Sequence, residues 1–136
     1  MLSPFCAVFE RRREMTIKEA IEIVDGFKPN AYDEKTKVRW LSSLDMQIQV
    51  ELIDTHEGGG ERFTGYTENT STDTVLLVAA PFDEIYRWWL EAQIDYANGE
   101  FERYGASMSM FNAAFARYED HYAQYHRPLQ KARWRW

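Results

Sequence analysis

The chain is poor in cysteine, in histidine and in long apolar runs, and each shortage removes a class of protein. Its one cysteine, Cys6, cannot close an intramolecular bridge, so nothing in the 136 residues indicates an oxidising compartment. Mean hydropathy is -0.56 with 28% charged residues, and no stretch approaches the roughly 20 apolar residues of a membrane-spanning helix. A phosphate-binding G-x-x-x-x-G-K-[ST] loop is absent, and Gly58, Gly59 and Gly60 are followed by Glu61 and Arg62 instead. What the chain has in quantity is apolar and aromatic surface: 45% hydrophobic residues and 15% aromatic, with five Trp and eight Tyr. A single domain of this length buries roughly two thirds of its unfolded surface and needs neither disulfide nor structural metal. The aromatic surplus points to partners as well as to a core.

Charge is unevenly placed. Residues 126 to 136, HRPLQKARWRW, carry Arg127, Lys131, Arg133 and Arg135 without an acid, a net +4, so the remainder holds -10 of the chain's total of -6. An acidic body argues against ordinary phosphate-backbone binding. The basic, Trp-containing tail is suited to an acidic neighbour, including another copy of the chain, unless it is simply a solvated terminus.

Residues 1–14, MLSPFCAVFERRRE, place an apolar run before three arginines, the reverse of a signal peptide. They read as a non-native or disordered extension with Met15 as the start, or as a flexible arm. A helical domain over 15–126 and a basic aromatic tail over 127–136 follow. Thr16 and Glu19 form a capping box. Ile17, Ala20, Ile21 and Val24 then repeat at helical spacing until Gly26 and Pro29, which predicts a first helix over about 17 to 26. Asp33 is the expected cap of a second, with Val38, Leu41, Leu44, Ile48 and Leu52 on one face, running to about His56. The stretch 57–73 holds four of the seven glycines and predicts a mobile loop or loose hairpin. TVLLVAAP reads as an extended packing segment, with Pro81 at the first position of a third helix over roughly 82 to 98. Asn98, Gly99 and Gly105 predict a break around FERY before a fourth helix carrying Met108, Phe111, Ala114, Phe115, Tyr118 and Tyr122 to about Tyr125. The expected class is all-α: about four helices in an irregular antiparallel bundle, with a long Gly-rich loop or hairpin between helices 2 and 3.

The residues offer little catalytic chemistry. His56 reads as a partner of a helix C-terminus. His121 and His126 are five apart, about 140° around a helix, and so do not make an i, i+4 metal pair. Asp95, Glu100 and Glu102 read as a solvated acidic patch, and Trp40, Trp88 and Trp89 as core or interface. No catalytic residue, cofactor or metal is expected, and the chain does not read as an enzyme.

Two segments, TIKEAIEIVDGFKPNAYDEKTKVRWLSSLD and TDTVLLVAAPFDEIYRWWLEAQIDYANGEFERYGASMSMFNAAF, resemble the small helical head-tail connector (adaptor) proteins of long-tailed bacteriophages. The resemblance spans about 16 to 125 and departs at Gly105, where an asparagine is expected after Arg103 and Tyr104. It implies a structural virion protein of the phage neck, made in the host bacterial cytoplasm. Such subunits form a ring of about a dozen copies below the portal vertex, a head-to-tail arrangement that needs two different patches on each subunit. The ring contacts the portal protein and the next neck or tail-completion protein, and genomic DNA passes through it without specific binding or any membrane contact. Arg127, Arg133, Trp134 and Trp136 in the tail, and Phe63 and Tyr66 in the loop, are the expected interface residues. The competing reading is a small acidic helical binding or regulatory protein acting as a monomer or dimer.

Overall fold

The computed structural model describes residues 14–129, and among these described residues there are four α-helices, α1 (Ile17–Phe27), α2 (Glu34–Ile48), α3 (Glu84–Ala97) and α4 (Phe101–Tyr125). The all-α expectation holds: among the described residues extended pairing is confined to two isolated bridges, Thr16 with Val75 and His56 with Pro128. The extension before Glu14, Cys6 included, and tail residues Arg133, Trp134 and Trp136 lie outside the described residues.

Helix α1 begins where its chemistry dictates. The Thr16 hydroxyl accepts from the Glu19 N–H at 3.1 Å while the Glu19 carboxylate accepts from the Thr16 N–H at 3.3 Å, and the expected stripe of Ile17, Ala20, Ile21 and Val24 is buried. Two further free N–H groups of its first turn are satisfied by tertiary contact. Those of Ile17 and Lys18 donate to the carbonyls of Thr74 and Thr72 at 3.0 and 2.9 Å, laying the segment after the loop beside the helix start.

Helix α2 is capped by Asp33, whose carboxylate accepts from the Thr36 N–H at 2.9 Å. Val38, Leu41, Leu44, Ile48 and Leu52 are all buried, as their spacing predicts. The regular α-helix stops at Ile48, short of His56, and one wider π-helical turn covers Gln49–Ile53. That turn buries both Gln49 and Leu52, which keeps the apolar face in contact while the polar Gln49 amide is turned into the protein.

Two other boundaries differ from expectation. Pro81 is not at the first helical position of α3; it lies in a turn closed by the Phe82 N–H on the Ala79 carbonyl at 3.1 Å, and the helix begins only at Glu84. The break before α4 is also shorter than predicted. It occupies Asn98 to Glu100, with Gly99 at φ +77°, and FERY forms the first turn of α4. Gly105 stands inside that helix, where it costs about 1 kcal/mol relative to alanine, a penalty that packing of α4 along the length of α3 outweighs.

Helices α3 and α4 form an antiparallel hairpin that is the most extensive pairing in the fold, and α1 and α2 pack on α3. Ile85, Leu90, Ala92 and Ile94 from α3 are completely buried. Trp40, Trp88 and Trp89 are half-buried: the Trp89 indole N–H donates to the Trp40 carbonyl at 2.8 Å, tying α3 to α2, and its ring meets Phe111 at 5.2 Å.

Candidate functional site

The polar centre of the molecule is a carboxylate on an apolar stripe. Asp45 follows Leu41 by four residues and precedes Ile48 by three, so α2 directs it into the core, where it is 0% exposed. Three donors converge on it. The Tyr66 hydroxyl reaches Oδ2 at 2.6 Å, the Tyr86 hydroxyl reaches Oδ1 at 2.8 Å, and the Leu77 N–H reaches Oδ2 at 3.2 Å. The Tyr86 oxygen in turn accepts from the Val78 N–H at 2.8 Å. Burial raises the Asp45 carboxyl to about 6, against the opposing pull of its hydrogen bonds from Tyr66, Tyr86 and Leu77. Burial and the neighbouring Asp45 charge hold both tyrosines above the ordinary phenol range. One carboxylate thus joins α2, the loop, the extended segment and α3.

The 57–73 loop is correspondingly fastened and forms no hairpin. The Phe63 N–H donates to Gln49 Oε1 at 3.1 Å, and the Tyr66 N–H donates to Ser42 Oγ at 3.0 Å. Gln49 completes its own bonding through Nε2 to Asp54 at 2.8 Å. Between the loop and α2 lies a cleft of about 430 Å³ with Lys35 and Arg39 at its edge and Ser42 and Met46 in its wall.

A second buried acid corrects the expectation of a solvated patch around residues 95 to 102. Asp95 is 1% exposed, paired with Lys28 beyond the end of α1, and it accepts from the Ser107 hydroxyl at 2.9 Å. Only Glu100 and Glu102 remain toward solvent, with Glu100 paired to Arg103 at 3.0 Å. Lys37 is buried as well, its ammonium 2.7 Å from Asp25.

All three histidines gather at the far end of the α3/α4 hairpin, around Tyr122. The His56 ring meets Tyr122 edge-on at 5.4 Å, His126 stacks on it at 3.9 Å, and His121 lies between Phe82 at 4.6 Å and Tyr125 at 5.0 Å. His56 Nδ1 lies 2.8 Å from the Leu52 carbonyl, the helix-end role its position predicts. Among the described residues no group of three or more His, Cys, Asp or Glu side chains is placed to hold a metal ion. None of the described helices is long and apolar enough to cross a membrane.

The expected interface residues separate. Phe63 is half-buried, its ring 4.6 Å from that of Tyr66, while the Tyr66 hydroxyl is engaged inside the protein on Asp45. Arg127 has an exposed side chain, but its carbonyl accepts from the Glu57 N–H at 2.8 Å, and the Leu129 N–H donates to the Thr55 carbonyl at 2.9 Å. The beginning of the tail is therefore bridged to residues 55–57, just beyond the π-helical turn. Sequence reasoning missed Asp45, although a lone acid at apolar spacing between Leu41 and Ile48 was a readable signal. It could not find Tyr86 or Asp95, whose partners are distant in the chain.

Comparison with known protein families, with characterised proteins and with solved structures gives no match to this chain.

Proposed function

We propose that the chain is a structural subunit of the bacteriophage neck that assembles into a ring below the portal vertex, joins head to tail and lengthens the DNA channel. The observation that carries this reading is the outer surface of α4. From Tyr104 to Ala116 no residue is charged, in a chain with 28% charged residues, yet Ala106, Ser109, Met110, Asn112, Ala113 and Ala116 are exposed. A solvent-facing helix ordinarily carries charge on its open side. A smooth, uncharged face with small side chains lets a neighbouring helix approach closely.

Two different aromatic patches accompany it. At the α3/α4 turn Tyr96 and Phe101, 59% and 62% exposed, meet at 5.5 Å, and Tyr104 lies 5.3 Å from Tyr96. Elsewhere the Arg87 guanidinium covers the exposed Phe27 ring at 3.6 Å and the Trp88 ring at 4.2 Å. A head-to-tail ring requires unlike patches on one subunit, whereas a two-fold dimer needs one self-complementary patch. The acidic body suits a channel wall that repels DNA phosphates. The resemblance to head-tail connectors supplies the portal and the next neck protein as partners, and the virion as the location.

Native mass spectrometry of the full chain over a range of concentration, alone and with its cognate portal ring, tests this reading. A closed ring of about a dozen copies, free or on the portal, is the expected result. A tight dimer at every concentration with no portal binding overturns it in favour of a small acidic regulatory protein.

A further inference from the structure

The cleft between α2 and the loop has a cationic end and an apolar end. Lys35, Val38, Arg39, Ser42 and Met46 follow one another at helical spacing and share one face of α2, beside the stripe that enters the core. The two cations stand toward the start of the helix and Met46 toward its end. The loop forms the facing wall. The Tyr66 N–H donates to Ser42 Oγ at 3.0 Å and the Tyr66 hydroxyl to Asp45 at 2.6 Å, so that wall is held at two points. Gly65, at φ +110°, allows the close approach, since a Cβ there would stand 3.3 Å from Ser42 Oγ. Thr67 to Thr70 then close a turn of their own, with the Thr67 N–H on Thr70 Oγ1 at 2.8 Å and the Thr70 N–H on the Thr67 carbonyl at 3.0 Å. Both walls are thus fixed by the fold itself.

The loop also shows what the cationic end holds. Glu68, within that turn, places a carboxylate oxygen 3.6 Å from Lys35 Nζ, with the two side chains 65% and 70% exposed. An ion pair this open contributes at most about 1 kcal/mol, so it exchanges readily for a carboxylate from elsewhere. Arg39 stands one helical turn beyond Lys35 on the same edge, and it is also exposed. The nearby Asp33 is engaged as the helix cap, accepting from the Thr36 N–H at 2.9 Å and the Thr36 hydroxyl at 2.6 Å. The spacing along α2 selects a shape. At 1.5 Å per residue, Lys35 and Arg39 are about 6 Å apart along the axis and Met46 is about 16 Å from Lys35. In an extended peptide, alternate side chains share one face about 7 Å apart. Two acids separated by one residue therefore match Lys35 and Arg39, and an apolar side chain two residues further on reaches toward Met46 and the Tyr66 ring.

We propose that this cleft is a docking site for an extended acidic peptide segment of a partner protein, with the pattern acid, any residue, acid, any residue, apolar. The two carboxylates of the segment pair with Lys35 and Arg39, and its apolar side chain lies against Met46 and Tyr66. Glu68 is the intramolecular competitor that the segment displaces. An inorganic anion would use the cations and leave the apolar end uncovered, which is why the cleft fits a peptide better. This assignment does not depend on the ring reading.

Heteronuclear NMR of the full chain tests it, with a capped pentapeptide reading glutamate, serine, glutamate, serine, leucine as the probe. The expected result is a saturable displacement of the backbone amide resonances of Ser42, Ser43, Tyr66 and Thr67. Arg39→Glu should weaken binding at least about tenfold, because it sets a like charge against the peptide. Glu68→Gln should tighten binding about two- to fivefold, because it removes the competing carboxylate. Circular dichroism verifies that both variants keep the helicity of the parent, and the opposite signs separate docking from a purely structural role of the two residues. Absence of any displacement, or equal binding of the same peptide with glutamine for both glutamates, would overturn the proposal. A Glu68→Gln variant that binds no more tightly than the parent would do so as well, as would inorganic phosphate that moves the same resonances at the same concentration. Cleft resonances that move with the concentration of the protein alone would assign the cleft to a second copy and overturn it too.

Discussion

The Tyr66 hydroxyl and the Asp45 carboxylate meet at 2.6 Å across 21 positions of sequence, and this bond fastens the glycine-rich loop to the middle of α2. The loop thereby becomes part of the folded body, with the half-buried Tyr66 turned onto Asp45 and Gly65 lying against Ser42 and Met46 of α2.

Removing that hydroxyl should release the loop without dissolving the helices. Tyr66→Phe deletes a hydrogen bond to a charged acceptor, worth about 1.5 to 3 kcal/mol. The expected outcome is a lower urea midpoint together with faster tryptic cleavage after Arg62, while helicity by circular dichroism is retained. Unchanged cleavage would mean that the Gln49 and Ser42 contacts hold the loop by themselves.

Asp45→Asn has a definite sign. All three groups facing Asp45 are donors, and the Leu77 N–H has no other role, so an amide must turn its own NH₂ toward a donor or leave a tyrosine hydrogen unpaired. The variant should lose about 1 to 3 kcal/mol. Its pH dependence identifies the residue. Because the folded protein raises the Asp45 carboxyl from 3.8 to about 6, Asp45 favours folding most below about pH 4 and loses that contribution as pH rises to about 6. The full linkage is on the order of 3 kcal/mol. The Asp45→Asn deficit should therefore be larger at pH 4 than at pH 7, measured by urea unfolding at each pH. A deficit independent of pH would show that the carboxyl titrates alike in folded and unfolded chains.

Asp95→Ala should be the more damaging change at the other end of the hairpin. It strands the Lys28 ammonium and the Ser107 hydroxyl, and loss of one member of a largely buried pair costs about 3 kcal/mol. Asp95→Ala with Lys28→Met should recover part of that loss, since the second change removes the orphaned charge. A double-mutant cycle by urea denaturation reads the coupling directly.

On the outer face of α4, Ala113→Arg should change stability by no more than about 0.5 kcal/mol, as an exposed substitution with no buried partner. The same substitution should abolish ring formation in native mass spectrometry, because it places a charge on the uncharged surface proposed to meet a neighbour. Assembly that survives this substitution would move the contact to the aromatic patches at Phe27 and Phe101.

Apolar spacing determined the four helices and most of the core by itself. Helical geometry places Ile17, Ala20, Ile21 and Val24, or Val38, Leu41, Leu44 and Ile48, on one face whatever they later touch, and all eight are buried. Caps were equally legible, since Thr16 with Glu19 and Asp33 with Thr36 act within one turn. Helix ends were less so: the extra turn after Ile48 and the start of α4 at Phe101 depend on what the neighbouring helices cover, and propensity alone carries too little energy to set them. Tertiary structure alone decided the fate of the polar groups. Asp95 reads as a surface acid until Lys28 and Ser107 arrive from other elements, and Tyr66 reads as a loop aromatic until its hydroxyl finds Asp45. An apolar face needs only to leave water, which a local pattern specifies. A buried charge needs particular donors at hydrogen-bonding distance, and those are supplied by segments that only the folded chain brings together.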